Sequence, residues 1–229
     1  MGTATDPISS PPRDARSRWL SAAELAVGAF IVIGHNVYHI VPNEVPILFV
    51  LALISFRLRD GSWTAMGLTR PASWRNTLLL ALTAAVLRIV LGNFVIDPLT
   101  AHLWPPAIAP KGTAAATHNL KVALEYLAIV WTFAAFGEEV SYRGYLLNRA
   151  ADLGRRTHAA YWIAVLVSSV LFGYGHYYKG PSGMVDSGVA GLILGATYVL
   201  SGRNLWACIL AHGFIDMFGV VCVYFGWAT

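Results

Sequence analysis

Six ionisable side chains stand inside runs of sequence that are otherwise apolar. Phe136-Gly137-Glu138-Glu139-Val140-Ser141-Tyr142-Arg143-Gly144 places two carboxylates and a guanidinium in one such run. Phe172-Gly173-Tyr174-Gly175-His176 closes a second, and Ala211-His212-Gly213-Phe214-Ile215-Asp216 lies within a third. A charge at the centre of a bilayer carries a penalty of at least ~2.5–3.5 kcal/mol on insertion scales, so one kept there usually faces a cavity and has a partner. On a helix, Glu139 and Arg143 are four residues apart and share a face, which neutralises that carboxylate. Glu138 points about 100° away, without that counter-ion, and is free to bind a proton or polarise water. His212 and Asp216 share a face in the same way, and Phe172 is spaced to fix the ring of His176. Each cluster also has a structural reading. The first is then a Glu–Arg brace near a helix end, the second a histidine in an interfacial aromatic belt, the third a polar pair joining helices.

The elements that must position these groups are membrane helices. The chain has 229 residues, 56% hydrophobic and only 12% charged, where a soluble domain carries about 25% charge. Hydropathy over windows of about 19 residues gives apolar segments near 19–40, 43–57, 74–95, 120–146, 159–177, 184–201 and 204–226. The second is short for a span of about 20 residues. An eighth embedded piece could lie in 98–118, where Pro98, Pro105, Pro106 and Pro110 exclude a long helix. No run alternates like a strand, so the expected fold is all-α: a polytopic transmembrane helical bundle of about seven to eight membrane helices. Residues 1–18 read as a disordered cytoplasmic tail and 19–229 as the membrane domain.

Charge distribution orients the chain. Arg13, Arg16 and Arg18 precede the first segment, Arg57, Arg59, Arg70 and Arg75 bracket the second connection, and Arg149, Arg155, Arg156 and Arg203 fall in later alternate connections. The positive-inside rule then puts the N-terminus in the cytoplasm. The basic excess sits at segment ends and forms no patch on a soluble face, which argues against nucleic acid as a partner. Cys208 and Cys222, in one segment, would be roughly 21 Å apart along a helix, too far for a disulfide. Counted from the expected cytoplasmic ends, Glu138 and His212 each lie about 12 Å deep, whereas His176 comes out near 24 Å. On these segments His176 and Glu138 are not level.

The three clusters, in this order and on separate apolar segments, give the chain a resemblance to the CPBP intramembrane proteases. This family, also called ABI, contains the type II CAAX prenyl endopeptidases and bacterial relatives. Its motifs are Glu-Glu-x-x-x-Arg, Phe-x-x-x-His and His-x-x-x-Asn or Asp, matched by Glu138-Glu139 with Arg143, Phe172 with His176, and His212 with Asp216. Upstream, Gly67-Leu68-Thr69-Arg70-Pro71 is similar to a short stretch common in bacterial members. The resemblance implies a glutamate-dependent peptidase that needs no metal or other cofactor, in a bacterial plasma membrane. Its substrate would be a membrane-anchored peptide or protein, with prenylation left open. On that pattern Glu138 is the general base on a water that His176 holds. Glu139 and Arg143 brace the helix, and His212 and Asp216 face the developing oxyanion. An ionised Asp at position 216 cannot donate a hydrogen bond, as an Asn could. Asp216 must then be protonated, orient His212, or mark a changed chemistry.

Three other readings of the same residues stay open at this point. Glu138, His176, His212 and Asp216 are acceptable zinc ligands for a metallopeptidase, although no His-Glu-x-x-His occurs. A non-catalytic membrane scaffold or immunity-type protein could keep the cluster for packing. Intramembrane Glu and His also build proton relays in transporters.

Overall fold

The computed structural model describes residues 15–109 and 112–227. Residues 1–14, where most of the expected tail falls, and Lys111 lie outside the described residues. Seven helices carry the fold: α1 (Ala15–Asn36), α2 (Glu44–Ser55), α3 (Trp74–Ala101), α4 (Leu120–Leu153), α5 (His158–Tyr174), α6 (Gly180–Leu200) and α7 (Leu205–Tyr224). Among the described residues there is no strand. Helix starts follow local chemistry. Asn43, Ser73, Asn119, Thr157 and Asn204 each sit just before a helix and accept a first-turn N–H on the side chain, satisfying donors the helix leaves orphaned.

Stretches beginning at Ser17, Trp74, Leu120, Tyr177 and Leu205 are long and apolar enough to cross a membrane, while α5 is a shorter apolar helix of 17 residues and α2 has only 12. Polarity runs outward to apolar. On α5, Ile163 and Val170 are 62% and 59% exposed, while Ser168 and Ser169 are buried. The chain is an integral membrane protein of helical-bundle architecture, its outer side chains suited to lipid and its polar ones turned inward. The stretch from 98 to 118 holds the end of α3 and a short 3₁₀ turn, Thr113–Ala116, and no further membrane helix among the described residues.

One boundary differs from the sequence expectation and bears on the site. α4 does not stop near 146 but runs to Leu153, because Asn148, Arg149 and Asp152 are buried and paired there. Arg149, wholly buried, reaches Glu24 at 2.7 Å, Asp60 at 2.9 Å and Asp152 at 3.1 Å, and its guanidinium lies 4.3 Å from the centre of the Phe56 ring. This network ties the same ends of α1, α2 and α4 together. A hydropathy window reads those charges as the end of a span, whereas they are its internal glue. With Leu153 as the end, Glu138 lies at most ~22 Å along α4, and Phe172 lies ~21 Å along α5 from His158. The later end of α4 brings Glu138 level with Phe172, and His176 lies just past the end of α5 at Tyr174, folded back on the Phe172 carbonyl.

α7 starts at Leu205, in agreement with the apolar segment expected from 204, and its start is held by contacts from the 63–71 stretch. Trp63–Met66 forms a 3₁₀ turn whose first residues are exposed and whose last, Met66, is wholly buried. The Met66 carbonyl accepts from the Tyr198 hydroxyl at 2.9 Å, that of Gly67 from Leu205 N–H at 2.9 Å, and that of Thr69 from Asn204 Nδ2 at 3.1 Å. The 63–71 stretch thus fixes where α7 starts. Gly67 is the pivot: its φ is +96°, and a Cβ there would lie 2.1 Å from the Arg203 carbonyl oxygen. Gly61 also has positive φ, +74°, but open space around it. Gly67→Ala is therefore expected to lower the melting temperature in detergent, by strain of about 1–3 kcal/mol plus the clash. Gly61→Ala should bear the strain alone. Equal melting of the two variants would contradict a seat for α7 at Gly67.

Candidate active site

From Val130 to Leu147, α4 is wound as a π-helix, interrupted at Glu139. Such winding is rare, and π-bulges cluster at functional sites because they redirect side chains from the α-helical pattern. Here the wound stretch carries Glu138, Glu139 and Arg143. Glu139 is fully buried, and its Oε1 accepts from Arg143 Nη1 at 2.7 Å. The Arg143 guanidinium also lies 4.4 Å from the Phe172 ring centre and donates from Nη2 to the Gly191 carbonyl at 3.3 Å. Gly191 also lets α6 pack closely on α5, since a Cβ there would lie 3.0 Å from Ser169 Cα. The expected Glu139–Arg143 pair is present, and it reaches further than its own helix.

The same oxygen of Glu139 lies 2.7 Å from His212 Nδ1. His212 Nε2 lies 3.4 Å from Asp216 Oδ2, one turn along α7. The His212 ring is thus held between carboxylates, Glu139 behind it and Asp216 beside it. The helical spacing gave the His212–Asp216 pairing. The bond from α7 to Glu139 was not legible in sequence, because it depends on where α7 starts.

His176 lies just past the end of α5, where the helix stops at Tyr174. Its Nδ1 is 2.9 Å from the Phe172 carbonyl, and its ring centre is 4.7 Å from that of Phe172. A carbonyl can only accept, so Nδ1 carries the hydrogen and Nε2 of the neutral ring is left as an acceptor. Phe172 also meets His212 edge-on at 6.0 Å and Tyr142 at 5.0 Å. The single aromatic ring of Phe172 therefore spaces Arg143, His176 and His212 about itself.

One cavity of about 620 Å³ is lined by Glu138, His176, His212 and Asp216 together. Glu138 is half-buried on its wall. Glu139 and Arg143 are not on the wall but behind it. Sequence reading missed other residues of the wall, among them Tyr178, Lys179 and the ion pair of Arg88 with Asp186. Lys179 lies within three residues of His176, which was the available signal. Arg88 and Asp186 carried none, being a lone charge on each of two helices. Among the described residues no three His, Cys, Asp or Glu side chains converge as a metal-ligand set, so the zinc reading finds no support in the geometry.

Residues 121–218 match the family described as type II CAAX prenyl endopeptidase Rce1-like. The matched region runs from the first turn of α4 past Asp216 and so contains all six residues singled out at the start. No curated protein and no solved structure matches the chain.

Proposed function

With residues 121–218 identified as an Rce1-like region, we propose that this protein is an intramembrane endopeptidase whose nucleophile is a water activated by Glu138. The observation that carries the proposal is the convergence of Glu138, His176, His212 and Asp216 on one cavity, drawn from three separate helical segments. Water is a poor nucleophile, and a carboxylate withdrawn from bulk solvent is a better base toward it. The water would lie between Glu138 and Nε2 of His176, which is free to accept. Glu138 takes one proton as the water oxygen bonds to the scissile carbonyl carbon. The tetrahedral oxyanion is met by Nε2–H of His212, whose ring acts as an imidazolium because its Nδ1–H is already given to the Glu139 carboxylate. As the C–N bond breaks, Glu138 returns the proton to the departing amine. Preorganised donors of this kind supply several kcal/mol to such reactions.

Glu139 and Arg143 act one layer back in this scheme. Arg143 holds Glu139 as an anion, and Glu139 in turn accepts from Nδ1 of His212, fixing the ring so that Nε2 faces Asp216 and the cavity. The substrate is a membrane-anchored peptide or protein, and prenylation of it is part of the proposal. Orientation follows loop charge, with the N-terminus cytoplasmic in a bacterial plasma membrane and residues 19–229 forming the protease domain. A reporter fused at Arg203 that read external would reverse that orientation.

The test is hydrolysis of a prenylated CAAX peptide by the purified protein in lipid nanodiscs, with and without chelator. Cleavage unaffected by chelator supports the proposal. Loss with chelator, restored by zinc, would replace it with a metallopeptidase. Asp216→Asn refines the oxyanion side. An amide can still accept from Nε2–H of His212 through its oxygen and adds a donor toward the cavity. Cleavage by Asp216→Asn is therefore expected to stay within about tenfold of wild type, a change of roughly 1.4 kcal/mol at most in the barrier. A folded but inactive variant would instead make Asp216 an obligatory anion.

A further inference from the structure

The cavity has a closed end and an open one. Phe172, Leu194 and His212, all buried, form its floor. Beyond that floor Tyr142, Arg143, Leu146, Tyr198, Leu205 and Cys208 are each 1% exposed or less. Packed side chains thus seal the bundle between the site and the end where α4 and α6 finish and α5 and α7 begin. In the other direction the wall runs through Asn93 and Cys222 to Ala109 and Trp227, which are half-buried or exposed. Cys222 stands ten residues past His212 on α7, about 15 Å nearer that end. The mouth therefore lies where α3, α5 and α7 finish and α4 and α6 begin.

The two ends also differ in charge. Connections and adjoining turns at the closed end include Arg57, Arg59, Arg70, Arg75, Arg155 and Arg203, whereas those at the mouth have Lys111, Lys121 and Lys179 as their basic residues. Basic residues near the ends of spans mark the cytoplasmic side, which puts the closed end in the cytoplasm and the mouth opposite. We propose that the catalytic cavity opens on the extracytoplasmic face, and that its substrates are membrane-anchored proteins whose scissile segment lies at the outer leaflet. This deepens the peptidase reading and rests on it and on the orientation given by loop charge. A substrate reaching the site from this side is cut where its chain emerges outside the cytoplasm. Its anchor, prenyl or other, is then held in the outer leaflet, and the attacking water enters by the same mouth.

The test is thiol accessibility in sealed membrane vesicles of both orientations, with Cys222 as the reporter. Cys222 lines the cavity, while Cys208 is wholly buried. The membrane-impermeant anion 2-sulfonatoethyl methanethiosulfonate is added first, and a permeant maleimide then counts the thiols left. The first reagent should block Cys222 in right-side-out vesicles and leave it unblocked in inverted ones. In a Cys222→Ser background, Asn93→Cys on the α3 wall should behave alike. Ala72→Cys in the same background, exposed in the connection before α3, should show the reverse. Blocking of the cavity thiols only in inverted vesicles overturns the proposal, as does equal blocking from both faces or blocking of Ala72→Cys from their own side. No blocking of either cavity thiol from either face would remove the water-filled mouth and the proposal with it. Labelling needs no turnover, so the two readings separate. Outside-only blocking, without cleavage of a prenylated peptide in nanodiscs, would keep the outer mouth and remove the peptidase. Cleavage with inside-only blocking would keep the peptidase and turn its substrates to the cytoplasmic side.

Discussion

Arg143→Ala is expected to yield little folded protein, with a loss of about 3–5 kcal/mol, the usual effect of removing one partner of a buried ion pair. Arg143 is 1% exposed and Glu139 0%, so neither charge can turn to solvent. The substitution also removes the cation over Phe172 and the donor to Gly191, and with them the link from α4 to α5 and α6. His212 remains on Glu139 but cannot replace three contacts made in three directions. Arg143→Lys keeps the charge and loses the planar fork that makes those contacts at once, so it should recover only part of the stability. A double variant, Arg143→Met with Glu139→Gln, separates bracing from chemistry. Replacing both members of a buried pair with neutral groups of similar size is often close to neutral in stability, yet His212 would lose its anion. The double variant should therefore melt nearer to wild type than Arg143→Ala does and still cleave poorly. Thermal melting in detergent, read beside cleavage, checks both. Wild-type melting in Arg143→Ala would mean that the pair holds nothing together.

The all-helical bundle was legible because its signals are local. Apolar runs of span length, and capping residues such as Ser73 and Thr157 just before them, need no tertiary knowledge. The six site residues were legible because i, i+4 spacing is a property of one helix, and a charge in an apolar run is conspicuous. Where the reading failed, it failed at charges that are buried for structural reasons. Arg149 and Asp152 looked like the end of a span because hydropathy cannot tell a solvated arginine from one surrounded by Glu24, Asp60 and Asp152. The level of α7 was also hidden, since it depends on Leu205 N–H reaching the Gly67 carbonyl across 138 positions of sequence. With the bond from Asn204 to the Thr69 carbonyl, that contact seats the start of α7, from which His212 reaches Glu139. The cavity wall was only half visible for a similar reason. Lys179 and Asp186 belong to it through the path of the chain after α5, and no periodicity announces them.

Glu138→Gln is expected to fold as wild type and to lose cleavage almost completely. Glu138 is half-buried on the cavity wall, and Gln keeps its shape, so stability has little reason to change. The amide cannot accept and return the proton of the attacking water, and a general base of this kind contributes about 10²–10⁴-fold to rate. Glu139→Gln is the informative contrast. That carboxylate lies behind the wall, so its loss should disturb stability and the His212 ring together, whereas Glu138→Gln should change turnover alone. A scaffold that kept these acids for packing would show the opposite pattern, with Glu138→Gln harmless. The most direct measurement sets purified wild type beside Glu138→Gln in the same nanodiscs, following release of the C-terminal peptide from a prenylated CAAX substrate and the melting temperature of each protein. A fall in cleavage of at least about 10²-fold at unchanged melting temperature is the expected result, and a Glu138→Gln protein that cleaves within a few-fold of wild type would contradict a water activated by Glu138.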